Sequence, residues 1–174
     1  MTRTASLPPL ALNAALRWDL VQRLLPPADP GLRVLEIGCG QGGFGARLAQ
    51  RYAYTGVDAD PTAAAVASAR VTAVNPQARV LTGELEQLVP AGDFDLVCAF
   101  EVIEHIEDDR AALAHWVSLV SPGGTLLVST PAWADRMGPW DEAVGHYRRY
   151  GPQALHQLLR AAGLADPRVV HYGA

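Results

Sequence analysis

The run Val34-Leu35-Glu36-Ile37-Gly38-Cys39-Gly40-Gln41-Gly42-Gly43 decides the fold. Its first half is mostly apolar and predicts a buried strand. The glycines that follow predict a tight turn opening a helix, because glycine takes positive φ and lets the backbone come close to a ligand. A second apolar run, Tyr54-Thr55-Gly56-Val57, ends in Asp58. That acid lies about 20 residues after Gly38, where a second-strand carboxylate can accept both ribose hydroxyls of a nucleotide. Strand, glycine turn, helix, strand and acid in this order predict a nucleotide cradle.

Working outward, residues 10–25 place Leu12, Leu16, Leu20 and Leu24 on one helical face, and Pro26-Pro27 ends that helix. Strands are expected at 32–37, 54–58, 79–81, 94–100 and 125–129, with a sixth beginning at 168–172. Between them, helices are expected at 44–51, 61–74 and 108–120. Asp60 is a cap for the second of these, with Pro61 at its first position, where no amide is lost. A last helix opens at Gly151-Pro152, turns Leu155, Leu158, Leu159 and Ala162 inward and stops at Gly163. Alternating strands and helices predict an α/β doubly wound, Rossmann-like parallel sheet with its ligand over the carboxyl ends of strands one, two and four.

The chain has 174 residues, 49% of them hydrophobic, enough for one core and too few for tandem domains. One domain over residues 1–174 is expected, with 1–27 covering the site and 131–150 a functional loop, since it is long for a plain connection. A net charge of −4 argues against a broad nucleic-acid-binding face. Cys39 and Cys98 lack metal-type spacing and read as buried thiols of a cytoplasmic protein. No stretch reaches the length of a membrane span.

Gly38, Gly40 and Gly43 also spell the dinucleotide fingerprint, which leaves a nicotinamide-dependent oxidoreductase as one reading. Glu36, two residues before the first glycine, gives E-x-G-x-G-x-G instead, and here the chain resembles the class I S-adenosylmethionine (SAM) dependent methyltransferases. The resemblance runs from about Val34 to Tyr172. It implies that Glu36 organises the turn, that Gly38, Cys39 and Gly40 contact the methionine part of SAM, and that Asp58 and the adjoining Ala59 meet the ribose. The family's Gly-Asp after the third strand is Gly83-Glu84 in this chain, so Glu84 takes the adenine-amine position, Leu85 packs on the adenine face and Phe100 offers its carbonyl to the methionine ammonium. The family's sheet normally ends in a seventh, antiparallel strand. This sequence stops short of one, which predicts an open edge for an oligomeric contact or a partner.

Glu101-Val102-Ile103-Glu104-His105 follows directly on the fourth strand, and Glu101, Glu104 and His105 share one face of a helical turn. The segment resembles the E-x-x-E-H of the ubiquinone-biosynthesis O-methyltransferases and the small-RNA 2′-O-methyltransferases. In those subgroups this triplet and a later histidine bind a divalent metal, which implies the set Glu101, Glu104, His105 and His146. Without a metal, His105 or His146 serves as a base. The loop supplies Trp133, Trp140, Tyr147 and Tyr150 as apolar walls, with Asp141, Glu142, Arg148 and Arg149 among them. Arg17 reads as an exposed helix cation, with a reach to the methionine carboxylate of SAM as the alternative. The function expected is SAM-dependent methyl transfer to a small-molecule acceptor, at an oxygen; a non-catalytic SAM-binding subunit is the other alternative.

Overall fold

The structure, a computed structural model, describes residues 6–85 and 93–172. Five strands, β1 (Asp29–Ile37), β2 (Tyr52–Asp58), β3 (Arg79–Thr82), β4 (Phe94–Phe100) and β5 (Val120–Ser129), form one sheet in the order β3-β2-β1-β4-β5. Every pairing is parallel. The helices are α1 (Leu12–Leu24), α2 (Gly45–Ala49), α3 (Pro61–Val74), α4 (Asp109–Leu119), α5 (Pro139–Ala143) and α6 (Pro152–Ala161). Asp60 caps α3 by accepting from the Thr62 amide at 2.8 Å, and Asp108 caps α4 by accepting from the Ala111 amide at 3.0 Å.

Successive residues of a strand face opposite ways, so β1 feeds a core on each side of the sheet. Val34 packs with Val21, Phe44, Leu48, Tyr52, Val71 and Phe100. Leu35 and Ile37 pack with Leu113, Trp116, Leu119 and Leu159. Burying each leucine-sized side chain contributes about 1.5–3 kcal/mol, which is what holds α4 and α6 to the sheet.

The structure corrects the sequence reading in three places. β5 begins at Val120, because Ser121-Pro122-Gly123-Gly124 bulges within the strand. The register steps from Phe94 opposite Val120 to Leu96 opposite Thr125, with Gly123 at φ 82°. The leucine stripe of α1 does not face the core: Leu12 and Leu16 are 75% and 53% exposed, while Val21 is buried and Trp18 meets the ring of Phe44. The sixth strand does not form, since residues 168–172 make no ladder. Side-chain anchors take that segment instead: the Arg17 Nε donates to the Tyr172 hydroxyl at 2.8 Å, and the His171 ring packs edge-on against Trp133. Among the described residues, the outer edge of β5 therefore has no strand partner.

The stretch 131–150 is a closed loop. Trp133 N donates to Tyr150 O and Tyr150 N to Pro131 O, both at 3.1 Å, which ties its two ends together. Inside it lie a 3₁₀ turn, Ala134–Arg136, and α5.

Candidate active site

At the end of β1 the turn closes on itself and on β2. Cys39 N donates to Val57 O at 3.0 Å and Gly42 N to Cys39 O at 2.9 Å. Asp58 bridges the two: its Oδ2 accepts from Gly40 N at 2.6 Å and its Oδ1 from Asp60 N at 2.9 Å. A carboxylate has about four lone-pair directions, so each oxygen keeps capacity for a ligand hydroxyl. Gly40 stands at φ 53°, and a Cβ built on it meets no atom within 4 Å. The cradle therefore has room for a ligand beside the Asp58 carboxylate, and its donors and acceptors fit a nucleoside.

Glu36 lies beneath this turn, 3% exposed, and accepts from the Tyr54 hydroxyl at 2.6 Å. Burial outweighs that bond and the neighbouring Asp58 adds to it, so the Glu36 carboxyl is pushed up to about 8. Burial likewise pushes the Cys39 thiol well up, which makes it an unreactive wall. Ala59 and Glu84 are exposed, and Leu85 is buried against the core. The Phe100 ring packs edge-on on Phe44 with centroids 5.0 Å apart.

Immediately after β4 the backbone is forced: Glu101 takes φ 57°, a costly conformation for a residue with a Cβ. Its carboxylate is held on both oxygens, by the Ser129 hydroxyl at 2.9 Å and by Arg17 Nη2 at 2.8 Å. Arg17 is thus not a free surface cation; its side chain is 17% exposed.

Glu104, His105 and His146 converge, each offering a ligand atom within 4.8 Å of the others. The expected set of four becomes a trio, because Glu101 is committed to Arg17 and Ser129. Glu104 is fully buried. Thr130 donates to its Oε2 at 3.2 Å, and its Oε1 has no hydrogen-bond partner among the described residues. Burial, aided by the Glu101 charge, pushes this carboxyl up to about 7. The rings of His105 and His146 meet edge-on at 4.6 Å. Burial, with His146 adding to it, lowers the pKa of His105, so its imidazole is predominantly neutral at neutral pH.

His146 reaches His105 because the returning leg of the loop is pinned to the E-x-x-E-H turn and to α4. Tyr147 N donates to Glu104 O at 2.7 Å, Arg148 Nη2 to Glu107 O at 2.6 Å and the Tyr150 hydroxyl to Asp109 Oδ2 at 2.8 Å. Arg148 also pairs with Asp109 at 2.7 Å. His146 itself is held by Asp141, whose Oδ1 lies 2.8 Å from its Nδ1. Arg149 Nε donates to the same oxygen at 2.8 Å. That bond is the main reason the Asp141 carboxyl falls to about 2.

A cavity of about 310 Å³ opens beside Glu101, bounded by Arg17, Thr130, Trp133, Tyr150 and Tyr172. A larger one, about 430 Å³, runs along the outer edge of β5 between α1 and the segment 164–170 and is mainly apolar; the paired histidines line neither cavity. Sequence reading named the glycine turn, Asp58 and both histidines, but not the roles of Arg17, Ser129 and Thr130. These are ordinary residue types with no motif around them, and only the fold brings them to Glu101 and Glu104. Asp141 and Glu142 both precede His146 by a few residues, and only the fold shows that Asp141 is the acid paired with it.

Comparison with known proteins agrees with this geometry. A family model described as a methyltransferase domain matches residues 11–168. An uncharacterized methyltransferase of Mycobacterium tuberculosis is 38% identical over 124 residues, covering 68% of this chain and 59% of the relative. A ubiquinone biosynthesis O-methyltransferase of Rhodopseudomonas palustris is 36% identical over 105 residues, 58% of this chain and 40% of that protein. Among solved structures, a SAM-dependent methyltransferase of Mesorhizobium loti superposes with a TM-score of 0.77 at 20% identity, covering 93% of this chain and 87% of that one. The fold and the turn define a class I SAM-dependent methyltransferase architecture. The chain belongs to the methyltransferase domain family, and the glycine turn is accordingly read as a SAM cradle. The chain spans 59% of the length of the mycobacterial relative.

Proposed function

We propose that this protein transfers the methyl group of SAM to an oxygen of a small-molecule acceptor seated beside Glu101. The observation that carries the reading is the meeting of Glu104, His105 and His146 at the carboxyl end of β4, in the same sheet that presents the Gly40–Asp58 cradle. The ubiquinone biosynthesis O-methyltransferase among the relatives supports oxygen as the target atom.

Bound SAM supplies an electrophilic methyl on a sulfonium, so the chain's task is to position, to exclude water and to manage one proton. Gly38, Cys39 and Gly40 lie against the methionine part, with Glu36 supporting the turn from below. Asp58 accepts from the ribose, with Ala59 beside it, while Glu84 and Leu85 take the adenine and Phe100 O takes the ammonium. A ring nitrogen of His105 or His146 accepts the acceptor's hydroxyl proton as the oxygen attacks. The loop 131–150 closes the acceptor side.

A second reading is favoured by one observation: Glu104 Oε1 is buried without a partner among the described residues. An oxygen so placed fits a cation, and Glu104, His105 and His146 form a mixed oxygen and nitrogen set that would hold a divalent metal and lower the hydroxyl's pKa. The outer edge of β5 is where we place an oligomeric contact or a partner, since an unpaired edge invites pairing.

Calorimetry with SAM and NADH, followed by a methyl-transfer screen over phenols, catechols and other small hydroxyl compounds with and without chelator, tests this. SAM binding with turnover is expected. NADH binding without SAM binding overturns it; SAM binding with no turnover on any acceptor points to a non-catalytic subunit. Turnover that survives chelator removes the metal and leaves the histidine base.

A further inference from the structure

Asp141 sits in a short helix of the loop, yet it is 1% exposed, and its carboxylate meets three nitrogens. His146 Nδ1 and Arg149 Nε both lie 2.8 Å from Oδ1, and Gly138 N lies 3.0 Å from Oδ2. The backbone repeats the connection, His146 N donating to Asp141 O at 2.8 Å. Arg149 Nη1 in turn reaches Ala132 O at 3.5 Å on the opposite leg of the loop. The His146 ring is also walled edge-on by Trp140 at 5.3 Å and by His105 at 4.6 Å. A surface acid would not need this much support.

A neutral imidazole carries its proton on one nitrogen and a lone pair on the other, and the hydrogen bond made by one nitrogen sets the role of the other. A carboxylate is an acceptor only. Ionised beside the Arg149 guanidinium, it can meet Nδ1 in one way, as the acceptor of an Nδ1 proton. Nε2 is then the nitrogen left for Glu104 and His105.

We propose that Asp141, braced by Arg149, is a positioning residue that holds His146 as the Nδ1-protonated tautomer with its Nε2 lone pair turned to the Glu104–His105 pair. The proposal rests on the reading of that trio as the acceptor-handling site. Asp141 touches neither acceptor nor cofactor; it acts through His146. A base and a metal ligand both need a lone pair on the inward nitrogen, so the assignment holds for either chemistry.

The test reads the tautomer directly. In the ¹⁵N-labelled protein without cofactor or metal, at a pH where His146 is neutral, its Nδ1 should resonate as a pyrrole-type nitrogen and its Nε2 as a pyridine-type one. A proton on Nε2, or averaged signals, overturns the proposal, and this measurement needs no variant to fold. Asp141→Ala should abolish the preference and lower kcat for methyl transfer by about 10–100-fold while KM for SAM stays unchanged. Asp141→Asn, whose amide oxygen can still accept from Nδ1, should restore the wild-type spectrum. If both variants lose only thermal stability and keep the tautomer, Asp141 is a loop clamp and the proposal fails. Wild-type protein with the stated tautomer but no methyl transfer would instead overturn the reading of the site and leave the role of Asp141 standing.

Discussion

The Tyr54 hydroxyl donates to Glu36 Oε2 at 2.6 Å, and Gly45 at the start of α2 leaves the room that this pair occupies: a Cβ there would collide with the Tyr54 oxygen. The family acid of the glycine turn is thereby sealed between two strands and a helix. Burial raises its pKa from 4.5 to about 8. Between those values the folded chain keeps a proton that the unfolded chain releases. The contribution of Glu36 to stability is therefore full below 4.5 and is lost as pH rises toward about 8.

Glu36→Gln keeps the acceptor for Tyr54 and removes the charge. Without cofactor, its melting temperature should exceed that of the wild type near pH 8, and the gap should close on the way to pH 5. Glu104 shifts in the same direction, so the wild-type curve alone does not isolate Glu36; the difference between the two proteins does. A gap that stays constant over this range shows that Glu36 does not titrate as described.

Asp58 ties the glycine turn to β2 and faces the open space beside Gly40. Asp58→Ala removes charge-assisted contacts to a ribose and should weaken SAM and S-adenosylhomocysteine binding by about 1.5–3 kcal/mol, roughly one to two orders of magnitude in affinity. Calorimetry on a folded variant checks it, and unchanged affinity removes Asp58 from the cofactor site.

Sequence reading captured what local chemistry dictates. The strand from Val34, the glycine turn, Asp58 and the Asp60–Pro61 helix start are all signalled within a few residues of themselves, and the structure holds them where expected. It misread what depends on competing partners. Glu101 shares a helical face with Glu104 and His105 in sequence, yet Arg17, a distant residue on α1, captures its carboxylate. The leucines of α1 keep helical spacing, but Trp18 and Val21 win the core because Phe44 stands opposite them. Residues 168–172 have strand character, yet they make side-chain contacts to α1 and Trp133 and no ladder.

Trp140 is 63% exposed and its ring packs edge-on against His146 at 5.3 Å. So exposed a side chain adds little to the core, and its removal should leave the fold intact. Trp140→Ala should lower kcat/KM for the acceptor while the Kd for SAM holds. Equal loss of both, or of neither, would show that the loop does not close over the acceptor.

Two glycines of the same turn should fail in different ways when given a methyl group. Gly40 and Gly42 both have positive φ, 53° and 73°, so alanine costs about 1–2 kcal/mol of backbone strain at either position. Their surroundings differ. A Cβ on Gly42 would stand 2.8 Å from the Cα of Ala67 in α3, a backbone atom that cannot step aside, whereas one on Gly40 meets nothing. Gly42→Ala should therefore lose a further 1–3 kcal/mol or so to overpacking and show the larger drop in melting temperature. Gly40→Ala should melt closer to the wild type but bind SAM more weakly, because its methyl enters the space the ligand needs. Thermal melts and calorimetry on the two variants check the order. If Gly40→Ala binds SAM as well as the wild type, the open space beside Asp58 is not where the cofactor lies.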